Sequence, residues 1–190
     1  MVHHYETPQF LRQDKPELKL LTDEQIKYCM DGWLSVLREH KGVFDEKLTE
    51  EIAADINRII LWHAAVEANL IYGDFHLNNL LFDDDGEVVI CDWQCVTIGQ
   101  SSEDLGFFLS RFNSDGFDMD EKTVIDSYIK AVYDMFGKRM DSDAFYCHMS
   151  AGTLITSFLY WHEYLHGNAE ERVGKVYRKM GQIMSHIRMI

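Results

Sequence analysis

A chain of 190 residues, 46% hydrophobic and 13% aromatic, has the material to bury one sizeable core and no need of a second. Its formal net charge of −14 excludes a nucleic-acid binder, because a phosphate backbone demands a basic face; it suits a cationic small substrate or simply a solvated surface. No eighteen apolar residues run together and the start, MVHHYETPQF, lacks the apolar centre of a signal peptide, so no membrane span is expected and the expected location is the cytoplasm. Cys29, Cys91, Cys95 and Cys147 form no Cys-x-x-Cys pair and are expected as free thiols in a reducing compartment.

Residues 1–21 hold both prolines, Pro8 and Pro16, and show no clear period; they are read as an irregular lead-in, and 22–190 as a single domain. Thr22 with Gln25 has the form of a capping box. Ile26, Met30, Trp33, Leu34 and Leu37 then recur at helical spacing until Lys41-Gly42. A second helix is predicted from about Glu46 to Ala68, with Leu48, Ile52, Ile56, Ile59, Ile60, His63 and Val66 along one stripe and His63 as a hydrogen-bonded core residue. After it the pattern changes. Leu70-Ile71-Tyr72 leads into Gly73, Leu80-Leu81-Phe82 into the acidic turn Asp83-Asp84-Asp85-Gly86, and Val88-Val89-Ile90-Cys91 back to Asp92, which is a strand, a turn and a returning strand. Such a hairpin sets Asn79 at its entrance and Asp92 at its exit, and the three turn acids read as solvated.

Thr97 to Ser101 reads as a polar connection bending at Gly99, and Ser101 or Ser102 as the cap of a short helix from Glu103 to Phe112. A helix from about Met119 to Phe136 is predicted to turn Val124, Tyr128, Val132 and Met135 inward and to stop at Gly137. Another runs from Asp143 to about His166, and Asn168 is placed to cap a last helix through Ile187. The fold class is therefore α+β, mainly α-helical, with one small hairpin. Methionines at helical spacing read as core filler.

The hairpin region carries the chemistry. Asp74, Asn79 five residues on and Asp92 eighteen residues after Asp74 have phosphoryl-transfer spacing. That reaction needs a carboxylate to orient and deprotonate an acceptor hydroxyl, and hard oxygen ligands for the Mg²⁺ that bridges the phosphates of ATP. Asp74 suits the first role, and Asn79 and Asp92 the second. The run Gly73-Asp74-Phe75-His76-Leu77-Asn78-Asn79-Leu80-Leu81-Phe82, then Ile90-Cys91-Asp92-Trp93-Gln94, then Glu103-Asp104-Leu105-Gly106, resembles the aminoglycoside phosphotransferase and choline kinase-like family, which shares the protein-kinase fold.

The resemblance implies transfer of the ATP γ-phosphate to a hydroxyl of a small molecule. By it Asp74 is the base, Asn79 and Asp92 hold the metal and nucleotide, Asp104 is a buried brace of the catalytic loop, and Tyr72, Gly73 and His76 support that loop. Two departures stand out: Tyr72 occupies the place usually taken by His, and neither the phosphate-covering loop nor the strand Lys of the family's N-terminal lobe is found. The resemblance thus implies a C-terminal lobe beginning near the hinge. It leaves open an active, truncated kinase or an inactive lobe acting as a binding module, with self-association possible through the face left by the missing lobe. Phe107, Phe108, Tyr160, Trp161 and Glu163 are candidates for lining an acceptor pocket whose substrate is an alcohol.

A rival motif lies elsewhere. His162-Glu163-Tyr164-Leu165-His166 matches H-E-x-x-H, in which two histidines one helical turn apart hold Zn²⁺ and the Glu activates water. Ala169 and Arg172 stand where its extended form would have Gly and His, and Glu170 and Glu171 are too close to return as a third ligand. Zinc hydrolysis is the less favoured alternative.

Overall fold

The computed structural model describes residues 19–114 and 116–187. Most of the expected lead-in therefore lies outside the described residues. Its last residue, Leu21, pairs its backbone N–H and C=O with the side-chain amide of Asn57, each at 2.9 Å. The chain divides into two compact units, one comprising Val66–Met149 and the other Leu18–Ala65 with Ser150–Ile190. The architecture is mainly helical, with two antiparallel two-stranded ribbons among the described residues.

The second unit is helix on helix. Helix α1, Asp23–Arg38, opens on the expected capping box: Thr22 Oγ1 accepts from Gln25 N at 3.2 Å and Gln25 Oε1 from Thr22 N at 3.0 Å. It buries Cys29, Trp33, Val36 and Leu37, and the chain reverses through Lys41 and Gly42, both at positive φ. Helix α2, Lys47–His63, buries Thr49, Ile52, Ile56, Ile59, Ile60 and His63. It stops five residues short of the expected end, and Val66 is exposed. The reason is tertiary: the Val66 carbonyl accepts from Gln100 Nε2 at 3.1 Å and Asn69 pairs with Gly99, so the segment is needed extended.

The long helix expected from Asp143 to His166 is interrupted. It runs as α5, Ser142–Thr156, then a π-turn, Ser157–Trp161, then α6, His162–Leu165. A π-turn leaves carbonyls without their usual i+4 partners. Two of them are taken by α1, since Trp33 Nε1 donates to Phe158 O at 3.1 Å and Cys29 Sγ to Leu159 O at 3.8 Å. The last helix, α7, Glu170–Ile187, contributes Val173, Tyr177, Met180, Ile183, Met184 and Ile187 to the same core. Asn168 does not cap it: its Nδ2 turns back to Tyr164 O and His166 O and its Oδ1 accepts from Arg172.

The first unit starts with β1, Asn69–Ile71, which pairs antiparallel with β4, Thr97–Gly99. The polar connection expected over Thr97 to Ser101 is thus in part a strand, because its Ile98 and the β-branched residues beside it find a partner in β1. Between them lies the predicted hairpin, β2, Leu80–Phe82, against β3, Val88–Ile90, with Leu80 opposite Ile90. Its residues Leu81, Phe82, Val88 and Val89 are exposed. Helix α3, Ser101–Ser114, begins two residues before the expected start, with Ser101, Ser102 and Asp104 buried.

Helix α4, Glu121–Phe136, is capped by Asp120, which accepts from Thr123 N at 3.0 Å, and ends at Gly137, φ 66°, whose N–H reaches Tyr133 O at 2.8 Å. Ile125, Tyr128 and Val132 are its buried face; Met135 is exposed, one step off the stripe. With Leu105, Leu109, Phe145 and Met149 they form this unit's core.

Candidate active site

Strand β1 delivers the chain to Tyr72 and Gly73, whose backbone N–H groups donate to the two carboxylate oxygens of Asp104, at 2.7 and 2.8 Å. Asp104 is 2% exposed in the first turn of α3, so a carboxylate that could have been a helix-end charge is instead spent on the loop. Gly73 has φ +86°, and a Cβ there would sit 2.3 Å from Cys95 O, so both conformation and space require glycine. The loop then closes on itself. Residues Leu77–Asn79 form one 3₁₀ turn, with Asn79 N donating to His76 O at 3.0 Å.

Asn79 is 7% exposed at the mouth of the hairpin. Its carbonyl accepts from Cys91 N at 3.0 Å, which extends the β2–β3 ladder by one step and puts Asp92 immediately beyond. Its side-chain Nδ2 faces Asp74 O at 3.0 Å and Asp74 Oδ2 at 3.3 Å. Both are acceptors only, so the amide nitrogen is turned toward Asp74 and Oδ1 is the atom left for other use. Asp92 adopts the left-handed region, φ 58°, a conformation that costs a non-glycine residue about 1 kcal/mol. It exits β3 with an exposed side chain, to which Gln94 Nε2 reaches at 3.5 Å.

Tyr72 ties the two loops together. Its hydroxyl contacts the carbonyls of Cys91 and of Asp92, the latter at 2.8 Å, and its ring meets Trp93 and Phe75 edge to face at centroid distances of 5.2 and 6.2 Å. Burial pushes this phenol's pKa up, as do the charges of Asp92, Cys91 and Asp74, while a hydrogen bond with the Asn79 side chain opposes them. The structure brings Asp74, Asn79 and Asp92 to one end of the ribbon, with Tyr72, Gly73, His76 and Asp104 behind them. Of the residues expected to line an acceptor pocket, Phe107 lies against His76 at 6.3 Å and Phe108 stacks on Phe75 at 5.1 Å, while Tyr160, Trp161 and Glu163 belong to the other unit.

The rival histidine motif is dispersed. His162 is buried under Gly32, where a Cβ would come within 2.4 Å of its Nδ1, and burial lowers its pKa. Glu163 accepts from the Tyr28 hydroxyl at 3.0 Å. His166 leaves the helix with ψ 133° and bonds through Nδ1 to Glu39 at 2.7 Å. Two histidines share a helical face only while the helix continues, and here it ends between them. Among the described residues no three His, Cys, Asp or Glu side chains are grouped to hold a metal ion.

Sequence reasoning missed β4 and the contacts of His76. For the first the signal was present, in the β-branched run Val96-Thr97-Ile98; for the second it was only an imidazole two residues past Asp74.

The phosphotransferase enzyme family matches residues 10–138, more than half of the chain. No curated protein matches. A solved choline/ethanolamine kinase family protein from Mesorhizobium loti is similar at 16% identity and TM-score 0.50, over 87% of this chain and 59% of that one. A choline kinase from Cryptosporidium parvum Iowa II is similar at 10% identity and TM-score 0.48, over 92% of this chain and 61% of that one. The chain therefore spans about three fifths of the length of these structures. The Mesorhizobium likeness shows a shared, mainly helical kinase-like fold. From that match over residues 10–138, the chain belongs to the phosphotransferase enzyme family.

Proposed function

We propose that the chain is the phosphoryl-transfer lobe of an ATP-dependent small-molecule kinase. The observation that carries this reading is that Asn79 hydrogen-bonds Asp74 through its side chain and Cys91 through its backbone, with Asp92 the next residue, so that the three stand at one end of the β2–β3 ribbon. Asp74 is the base: as the acceptor oxygen bonds to the γ-phosphorus and the bond to the ADP oxygen breaks with its electron pair, the alcohol proton passes to the carboxylate. Asn79 Oδ1 and the Asp92 carboxylate are the metal ligands. Both are hard oxygen donors, the kind that suits a Mg²⁺ ion completing its shell with water and phosphate oxygens. When bound, Mg²⁺ neutralises charge on the transferred phosphoryl group.

The acceptor we propose is an alcohol, a cationic one being favoured by the chain's net charge of −14. Four free cysteines accord with a cytoplasmic setting. The test is Mg²⁺-dependent ATP consumption by the full chain with a panel of cationic and neutral alcohols. Asp74→Ala is expected to lower it about a thousandfold with an unchanged circular dichroism spectrum; consumption that survives the substitution overturns the proposal.

A further inference from the structure

Strands β2 and β3 read Leu80-Leu81-Phe82 and Val88-Val89-Ile90, apolar at every position. An antiparallel ribbon with one wet face alternates apolar and polar residues, whereas an unbroken apolar run belongs to a strand covered on both faces. With Leu81 opposite Val89 and Phe82 opposite Val88, successive pairs point to opposite faces, so apolar side chains stand on both. Among the described residues neither face is covered. Leu81 and Val89 are exposed on one, Val88 and the 73% exposed Phe82 on the other, and none of the six strand residues joins either unit's core. A two-stranded ribbon this short is marginal by itself.

The ribbon also offers its edges. Asp83 N donates to Glu87 O and Cys91 N to Asn79 O, so by the antiparallel alternation Leu81 and Val89 form the hydrogen-bonded pair between them. The N–H and C=O groups of Phe82 and Val88 therefore point away from the ribbon. Edges of this kind take up a further strand.

The charge around the ribbon has one sign. From Val66 to Ser110 the chain has no Lys or Arg, against nine Asp and Glu. Four of these crowd the ribbon's turn. Asp83 Oδ1 is used by the N–H groups of Asp85 and Glu87, while Asp84, Asp85 and Glu87 extend their own side chains on an exposed surface. A second copy would carry the same acids to the contact, so the complementary occupant is a basic one.

We propose that the β2–β3 ribbon docks a short extended segment of a different polypeptide, apolar over the length of these strands and followed by Lys or Arg. Its apolar residues add a strand to the ribbon and cover the exposed side chains, and its cations meet Asp84, Asp85 and Glu87. The surface stands whether or not Asp74 is a base.

The experiment uses the full chain and a fluorescently labelled peptide, Val-Ile-Val-Lys-Lys-Lys, followed by anisotropy. It is expected to bind, Ser-Thr-Ser-Lys-Lys-Lys to bind about tenfold more weakly, and Val-Ile-Val-Glu-Glu-Glu not to bind. Phe82→Ser with Val88→Ser, both at exposed positions, is expected to leave the circular dichroism spectrum unchanged and to reduce the first peptide to the affinity of the second. Asp84→Asn with Asp85→Asn and Glu87→Gln, which spares the turn-holding Asp83, is expected to weaken binding about tenfold and to remove its sensitivity to salt. Absence of binding, equal affinity for the valine and serine peptides, or binding untouched by the Phe82 and Val88 substitutions overturns the proposal. A dimer in sedimentation velocity that the same two substitutions convert to monomer gives the ribbon to a second copy and also overturns it.

Discussion

The two units bury polar side chains to different ends. In the helical unit they complete packing: Trp33, fully buried, donates to Phe158 O, and Tyr177 contacts the Thr49 hydroxyl at 2.9 Å and Asp45 O at 2.7 Å. Each closes a gap in a helix core whose shape the apolar residues already set. In the site unit buried polar groups hold irregular backbone. Asp104 clamps the N–H groups of Tyr72 and Gly73, the Tyr72 hydroxyl reaches the carbonyls of Cys91 and Asp92, and Asp92 itself keeps a left-handed conformation. The strands there are three residues long, too short to impose a loop geometry by themselves. The contrast lies in the loops: both units have an apolar core, but the irregular backbone around Gly73 and Asp92 is held by a few directed bonds.

That contrast can be broken by substitution. Trp33→Ala removes the largest fully buried side chain of the helical core and is expected to cost about 3–5 kcal/mol in denaturant unfolding followed by circular dichroism. A loss below about 1 kcal/mol would mean that area does not hold this unit. Asp104→Ala deletes little apolar area but strips two buried N–H groups of their acceptor, and is expected to cost about 3 kcal/mol together with the ATP consumption that depends on the loop. Retained turnover in a stable Asp104→Ala protein would remove the clamp from the account.

A smaller effect sharpens the comparison through pH. Burial raises the Tyr128 phenol from 10.0 to about 12 in the folded site unit, against an opposing hydrogen bond from Ser101. Because the folded pKa is the higher one, its contribution is fully present below pH 10 and is lost as pH rises toward 12, about 2–3 kcal/mol in all. The melting temperature is expected to fall across that window, and to fall less steeply in Tyr128→Phe. An identical pH profile in the variant would assign the alkaline loss to other groups.

Much of the fold was legible in the residues because local rules and tertiary demands agree there. The capping box at Thr22, the stripe from Ile52 to Ile60 and the Gly137 stop each satisfy a short-range requirement that packing then reuses. Where the readings failed, a distant partner intervened. Val66 left its helix to serve Gln100, Thr97–Gly99 became a strand because β1 lay beside it, and the helix through Ser157 took a π-turn whose carbonyls accept from side chains of α1. No periodicity in the chain encodes those partners.

The same division runs through the site. Spacing alone placed Asp74, Asn79 and Asp92 about a strand–turn–strand unit, since a hairpin returns the chain to its own start whatever surrounds it. It could not say which atom of the Asn79 amide faces Asp74, which oxygen of Asp74 is already engaged, or that Tyr72 binds the carbonyls of Cys91 and Asp92. Those are choices of rotamer, and a rotamer is selected by neighbours that arrive from elsewhere in the sequence. Residue types and their intervals determined the chemistry available to this chain; three-dimensional packing decided the direction in which each group points it.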